Sequence, residues 1–136
     1  MSHWVLYAAV AFVCWGLWAF LPKLTTRYID PKSAIIYEAV GSLVVGLVVL
    51  ALVAFKPAAE PRGILLALST GVLGAMGAFA FLHAVTKGPV TLVSTGTALY
   101  PILAIVLACC FLNESVTLRQ GVGIVLALIA VALISA

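Results

Sequence analysis

The sequence is poor in charged residues, since Asp, Glu, Lys and Arg make up 8% of its 136 residues, against roughly 25% in an average soluble domain. Apolar residues make up 65%. A water-soluble globule of this composition would lack the polar side chains needed to cover its surface, so lipid is the expected solvent. The formal net charge of +3 is small and spread over the loops, which gives no reason to expect a nucleic-acid partner.

Side chains suited to catalysis or metal binding are equally scarce. Cys14, Cys109 and Cys110 lie inside apolar runs, and their spacing relative to the histidines matches neither a metal site nor a disulfide framework. The sequence contains no recognisable nucleophile–base pair and no phosphate-binding loop. We therefore predict no enzymatic activity, no catalytic residues, no metal and no cofactor.

What the sequence does contain is five apolar runs, each close to the ~20 residues that a helix needs to cross the hydrocarbon core. Short segments with proline, glycine, asparagine and charge separate them, and such segments end helices. Backbone polar groups in lipid need internal partners, and the alternation of barrel strands is absent, so the runs are predicted to be helices. The sequence predicts an all-α integral membrane protein with a single domain, residues 1–136, and spans at about 4–22, 33–55, 63–85, 90–112 and 118–135.

Lys and Arg are divided almost evenly between the two membrane faces. Five spans place the termini on opposite sides, and an excess of basic residues normally marks the cytoplasmic side. Three against four is too small a bias to fix one orientation, so insertion both ways round and an orientation set by another feature remain alternatives. The residues are Lys56, Arg62 and Arg119 on the N-terminal side, and Lys23, Arg27, Lys32 and Lys87 on the other.

Glu38 is a carboxyl group about a turn and a half inside the second span. A charge at helix centre costs about 2.5–3.5 kcal/mol on the insertion scale, and such residues usually face a bundle interior or a water-filled cavity. Glu38 shares one helix face with Gly41, Ser42 and Val45. We predict a proton-exchanging or cation-binding carboxylate, with Ser42 on the same path. The alternative is a residue near the membrane surface that snorkels or pairs with Lys32.

Three further residues of the first and third spans are candidates for the same path. His83 lies near the end of the third span. Because the second and third spans run antiparallel, we expect His83 and Glu38 to lie at a similar depth in the membrane. A Glu–His pair there would move protons near neutral pH. The alternative is an interfacial histidine that bonds a backbone carbonyl. Trp15 lies near the midplane, and its indole N–H needs a partner, which indicates either a polar cavity or core packing. Trp18 follows one turn later.

A proline lies near the middle of the fourth span. Pro101 leaves the carbonyl of Thr97 without its usual donor and kinks the helix. Interrupted helices near the midplane point to transporter binding sites, whereas a kink healed by a neighbouring Ser or Thr is the alternative. We assign Thr95, Tyr100 and Pro101 to the path.

Small residues follow one another in the third span, at Gly71, Gly74 and Gly77. Small residues let helix backbones approach closely, which drives helix packing in lipid. We therefore assign these three glycines to helix packing.

Several short motifs resemble, in their order and spacing, the EamA-type domain of the drug/metabolite transporter superfamily. The resemblance covers nearly the whole chain. The sequence departs from the family pattern at Tyr37-Glu38, where many members have a basic residue. The motifs are Trp15-Gly16 with Phe20, Ala84 with Gly88, Ala98-Leu99-Tyr100-Pro101, Leu112-Asn113-Glu114, and Gln120 with Gly123.

The resemblance implies that this chain is one half of an inverted-repeat transporter, as in the five-span bacterial/archaeal branch, because most members contain two five-span halves of opposite orientation. It implies a secondary transporter of a small organic metabolite or drug-like compound, an exporter or exchanger with proton coupling, in the cell (inner) membrane. We expect an antiparallel homodimer with dual topology, surrounded by lipid. The alternative function is a non-transporting membrane subunit that partners another membrane protein.

Overall fold

The computed structural model describes residues 3–135, so residues 1, 2 and 136 of the predicted domain lie outside the described part of the chain. Every regular element in residues 3–135 is an α-helix, and the predicted all-α fold class is confirmed. The helices are α1 (His3–Thr25), α2 (Pro31–Leu52), α3 (Pro61–Lys87), α4 (Val90–Thr97), α5 (Tyr100–Phe111) and α6 (Leu118–Ser135).

Four segments of the described chain are long and apolar enough to cross a bilayer, namely α1, α2, α3 and the pair α4–α5 taken together. α6 is apolar but has 18 residues, which gives a length of about 27 Å against about 30 Å for the hydrocarbon core. These segments lie where the sequence predicts the five spans, with ends that differ by a few residues.

Polar side chains determine where three of the helices begin. Asp30 accepts hydrogen bonds from the backbone N–H groups two and three residues later, at 2.9 and 3.2 Å, and Pro31 opens α2, where its missing N–H is no loss. Glu60 accepts from the N–H three residues on, at 2.6 Å. Thr117 and Gln120 bond each other's backbone N–H groups at 2.8 and 3.3 Å, which is a capping box.

The end of α1 differs from the sequence prediction, and the end of α5 agrees with it. α1 continues to Thr25, three residues past the end predicted at Pro22. Proline lacks only its own N–H, so the backbone carbonyl of Trp18 loses its usual hydrogen-bond donor. The Pro22 carbonyl still accepts from the N–H of Thr26 at 2.9 Å, and the helix therefore continues. Just beyond α5, Asn113 has a φ of 54°, a left-handed conformation that asparagine tolerates and that ends helices.

The span predicted at 90–112 is two helices. Ala98 and Leu99 separate α4 from α5, and the backbone there makes shorter-range bonds, from the N–H of Leu99 to the Gly96 carbonyl at 3.4 Å and from the N–H of Ile102 to the Leu99 carbonyl at 3.0 Å. The predicted kink is therefore a short tightened turn at Ala98 and Leu99, which interrupts the regular α-helical bonding while both residues stay in the right-handed helical region.

The chain forms two compact units, one up to Lys87 and one from Gly88 onward. In the first unit α3 contacts both α1 and α2, and in the second α4 contacts α6.

The buried side chains of the first unit lie where α1 ends, α2 begins and α3 ends. Successive antiparallel helices bring these three points to one membrane face. Most large apolar side chains elsewhere in the described chain are exposed, as a lipid solvent requires. The buried residues are Pro22, Ala34, Ala78, Phe81, Leu82 and Val85.

Candidate functional site

Glu38 and Trp18, which the sequence places on two different spans, meet beside this buried core. The Trp18 side chain lies near the Glu38 carboxylate; an indole N–H only donates and a carboxylate only accepts, so the two groups are complementary. The Trp18 ring also packs on Phe81, with ring centroids 5.3 Å apart and planes tilted by 34°. Because Phe81 is 5% exposed and Trp18 is 39% exposed, Phe81 forms the buried backing and Trp18 the accessible surface.

Glu38 itself is partly buried and lies seven residues after the start of α2, about 10 Å along the helix. Lys32, the alternative partner considered for it, is exposed in the first turn. Six residues of α-helix rotate the two side chains about 120° apart. The α2 geometry therefore directs Glu38 toward Trp18 on α1 and away from the side of Lys32.

Trp15 and Ser42 continue the faces on which Trp18 and Glu38 lie. Trp15 comes one turn before Trp18 and is 61% exposed. Ser42 comes one turn after Glu38 and is also exposed. Both residues lie on the same helix faces as Trp18 and Glu38, farther from the packed end of the unit, since helix neighbours three and four residues apart share a face; their place in a solute path remains a prediction.

His83 makes its hydrogen bond within α3. Its Nδ1 lies 3.0 Å from the carbonyl oxygen of Phe79, and since a carbonyl only accepts, Nδ1 carries the hydrogen in this contact. The rings of His83 and Phe79 also meet edge to face, with centroids 4.5 Å apart. This contact matches the alternative given for His83, a histidine that bonds a backbone carbonyl. The role of His83 in a proton path remains a prediction.

In the second unit, Thr95, Tyr100 and Pro101 surround the interruption between α4 and α5. Thr95 donates its hydroxyl to the Thr91 carbonyl at 2.6 Å, and Thr97 donates to the Val93 carbonyl at 2.9 Å, so both bonds are made within α4. Tyr100 is 60% exposed. Pro101 leaves the Thr97 carbonyl without its α-helical donor, and a carbonyl of this kind is a suitable acceptor for a polar solute.

An open groove of about 730 Å³ runs along α5 and α6. It begins beside Pro101 and ends at the connection between the two helices. Its walls are mostly small and aliphatic, and its polar groups lie at the loop end. The lining includes Pro101, Ile105 and Ala108 from α5, Gly123 and Ala127 from α6, and Glu114 and Gln120 near the connection.

The face of α3 that carries Gly71, Gly74 and Gly77 is open. A Cβ added at any of these positions would meet no other side chain or neighbouring backbone within 4 Å in the described chain. No other helix among residues 3–135 packs closely on these glycines. Close helix packing on this face of α3 therefore remains a prediction, for contact with another molecule.

Two contacts of the first unit were not predicted from the sequence. They are the packing of Phe81 on Trp18 and the hydrogen bond from Lys23 Nζ to the Val85 carbonyl at 2.6 Å. A signal existed for the second contact, because Lys23 lies in the last turn of α1 and α3 must end at the same membrane face. The groove along α5 and α6 was signalled only by the small residues on its walls.

A profile of the EamA-like transporter family matches residues 2–136. Comparison with curated proteins and with solved structures gives no significant match.

Proposed function

The chain belongs to the EamA-like transporter family, and on that premise we propose that it is a secondary transporter of a small organic metabolite or drug-like compound. We assign it an exporting or exchanging role in the inner (plasma) membrane of the cell. Transport is coupled to protons through Glu38. The functional unit is an antiparallel pair of identical chains.

The observation that carries this proposal is the position of Glu38, partly buried within α2 and near Trp18, inside the membrane-spanning part of the first unit. A carboxyl group at this depth is costly to keep, and packing alone gives no reason for it. A carboxylate loses its negative charge when it takes up a proton, and a bound cationic group balances that charge. An aromatic neighbour on one side leaves the other side of the carboxylate available to a bound solute.

We assign candidate solute-path residues in each unit separately. In the first unit it follows Trp15, Trp18, Glu38 and Ser42, with His83 at the same end of α3. In the second unit it follows the interruption of the fourth span. A discontinuous helix is the usual place for a transported solute because its backbone groups are free to bind polar atoms. The residues there are Thr95, Tyr100 and Pro101.

The even distribution of Lys and Arg supports the antiparallel pair. A chain with three basic residues near one face and four near the other has little preference for one orientation. Members with two inverted halves bind solute between them at the midplane. A single half therefore completes its site only by pairing with a second copy of opposite orientation.

The test is proton movement in proteoliposomes that contain a trapped pH-sensitive dye. Solutes are added in classes, namely amino acids, organic cations and neutral metabolites, and the active class should drive a change of internal pH. Glu38→Gln should abolish that change in internal pH, because a glutamine side-chain amide does not bind and release a proton as a carboxyl group does.

Glu60→Gln is the matched control. Glu60 caps α3 outside the membrane through one carboxylate oxygen, and glutamine keeps an oxygen acceptor, so proton movement should be unchanged. Solute-driven proton movement that survives in Glu38→Gln would refute the coupling role. A chain that moves no solute of any class would refute the transporter proposal.

A further inference from the structure

The end of α3 contains a carbonyl group that lacks its usual α-helical donor. The Val85 carbonyl would accept from the N–H of residue 89 in a continuing helix, but residue 89 is Pro89, which has no N–H. Val85 is 0% exposed, so water does not replace the missing donor. An unsatisfied buried carbonyl is costly, and a donor from another helix is therefore favourable here.

That partner is Lys23, from the last turn of α1. Its Nζ lies 2.6 Å from the Val85 oxygen, the short distance of a charge-assisted hydrogen bond. The ammonium group also lies at the negative end of the α3 dipole, where a positive charge is favourable. A bond with these two contributions holds the end of α1 against the end of α3.

The same two helices make a second contact one turn away. Trp18 packs on Phe81, and Phe81 and Val85 are four residues apart on one face of α3. Trp18 and Lys23 follow the same direction on α1, as expected for helices that run parallel. Lys23 therefore helps to set the register of α1 against α3, and with it the position of the Trp18 indole near Glu38.

We propose that Lys23 is a positioning residue that latches this end of the first unit. The latch itself is a property of α1, α2 and α3. These helices bury side chains at this end, and their opposite ends are exposed.

The test measures how often the latched end opens. Ala34 is 1% exposed in α2 at this end, so a cysteine there reports opening. In a background with Cys14, Cys109 and Cys110 replaced by alanine, Ala34→Cys is labelled with a membrane-impermeant maleimide in detergent micelles, where both faces are accessible. Adding Lys23→Met should raise the labelling rate by roughly tenfold or more, the size expected for loss of a charge-assisted hydrogen bond.

Two matched variants separate the latch from general damage. Lys23→Arg keeps a cationic donor and should keep labelling slow. Lys32→Met removes an exposed lysine at the same face and should leave the rate unchanged. Equal rates in Lys23→Met and in the parent would overturn the proposal, as would fast labelling in Lys23→Arg.

A second measurement covers the case in which Lys23→Met does not fold. Pro89→Ala provides an N–H four residues after Val85, so the carbonyl gains an alternative donor. The melting temperature lost on adding Lys23→Met should then be smaller in the Pro89→Ala background than in the parent, and equal losses would overturn the proposal. Neither measurement uses a solute, so failure of the transport assay would leave the latch intact, and failure of the latch would leave transport to be judged separately.

Discussion

Trp18 has neighbours on both other helices of the first unit. Its ring packs on Phe81, and its indole lies near the Glu38 carboxylate. The apolar contact fixes the ring, and the fixed ring aims the polar group. The position of a single indole thus connects all three helices of the first unit, with α1 supplying Trp18, α2 supplying Glu38 and α3 supplying Phe81.

Trp18→Phe separates the two contacts. Phenylalanine keeps an aromatic ring against Phe81 and lacks the indole N–H that is available to Glu38, so we expect stability to fall by no more than about 1 kcal/mol while helix content stays the same. Proton-coupled flux should fall more than stability does. Thermal unfolding in detergent and the proteoliposome assay check the two parts.

Trp4→Phe is the control for that variant, since Trp4 is 70% exposed near the start of α1. It should change neither measurement beyond error. A Trp18→Phe protein with full flux would show that the indole N–H has no part in the function of Glu38.

Asp30 gives a pH dependence outside the membrane. The Ser33 hydroxyl, which donates at 2.6 Å, is the main cause that holds the pKa of the Asp30 carboxyl below its usual range, and backbone N–H groups add to it. A carboxyl with a lowered folded-state pKa stabilises the fold above its unfolded pKa, and that contribution is lost as the pH falls through the folded-state pKa. The affected window lies below about pH 4.

Asp30→Asn should therefore remove part of this acid sensitivity. Asparagine remains a good helix N-cap but does not titrate, so the melting temperature of the variant should fall less than that of the parent between about pH 5 and pH 3. Hydrogen exchange of the first turn of α2 over the same range checks the location. An identical acid dependence in both proteins would contradict the assignment.

Among the helices, the interruption between α4 and α5 depends on one residue. Pro101 cannot donate to the Thr97 carbonyl, and the bonds around Ala98 and Leu99 tighten instead of continuing the α-helical pattern. Threonine hydroxyls within α4 bond its own carbonyls. The helix is thus broken by backbone chemistry and is held on its N-terminal side by its own side chains.

Pro101→Ala should join α4 and α5 into one helix over Val90–Phe111. The restored N–H gives the Thr97 carbonyl a partner, so we expect a stability gain of about 1–3 kcal/mol together with loss of transport. Hydrogen exchange at residues 98–102 should slow. Unchanged exchange there would show that the interruption has another cause, and full transport by a joined helix would show that the interruption has no role.

Two of the family-like motifs have structural roles as helix ends. Asn113 adopts the left-handed conformation that closes α5, and Gln120 belongs to the capping box that opens α6. The motif residues Asn113 and Gln120 therefore delimit the connection of the last helical hairpin. Their presence supports the fold and says nothing about the solute.

For the whole molecule, the charge distribution predicts that both orientations occur in the membrane. Two reporters are fused to the C-terminus, one active only in the cytoplasm and one active only outside, and we expect both to be active. Replacing Lys56 and Arg62 with glutamine leaves one basic residue against four. That variant should adopt one orientation, with its N-terminus outside.

Activity of one reporter alone in the parent chain would refute the antiparallel pair. It would favour the alternative of a membrane subunit held in one orientation by a different partner. Copurification of that partner would then be the next observation to seek.

The sequence by itself determined the class of protein, because scarce charge and long apolar runs are compatible only with a lipid solvent. It also predicted the number of apolar segments and most of their ends, since proline, glycine and capping residues act locally. Glu38 was identifiable for the same kind of reason, because a carboxyl group inside an apolar run is costly wherever its helix packs.

Only the tertiary structure decided which side chains meet. A helix that is apolar on all sides has no polar face to orient it, so the rotation of α1 and α3 about their axes was not encoded in the periodicity. Packing of Phe81, Leu82 and Val85 sets that rotation. It brings Trp18 to Glu38 and Lys23 to the Val85 carbonyl, contacts that require the register of one helix against another.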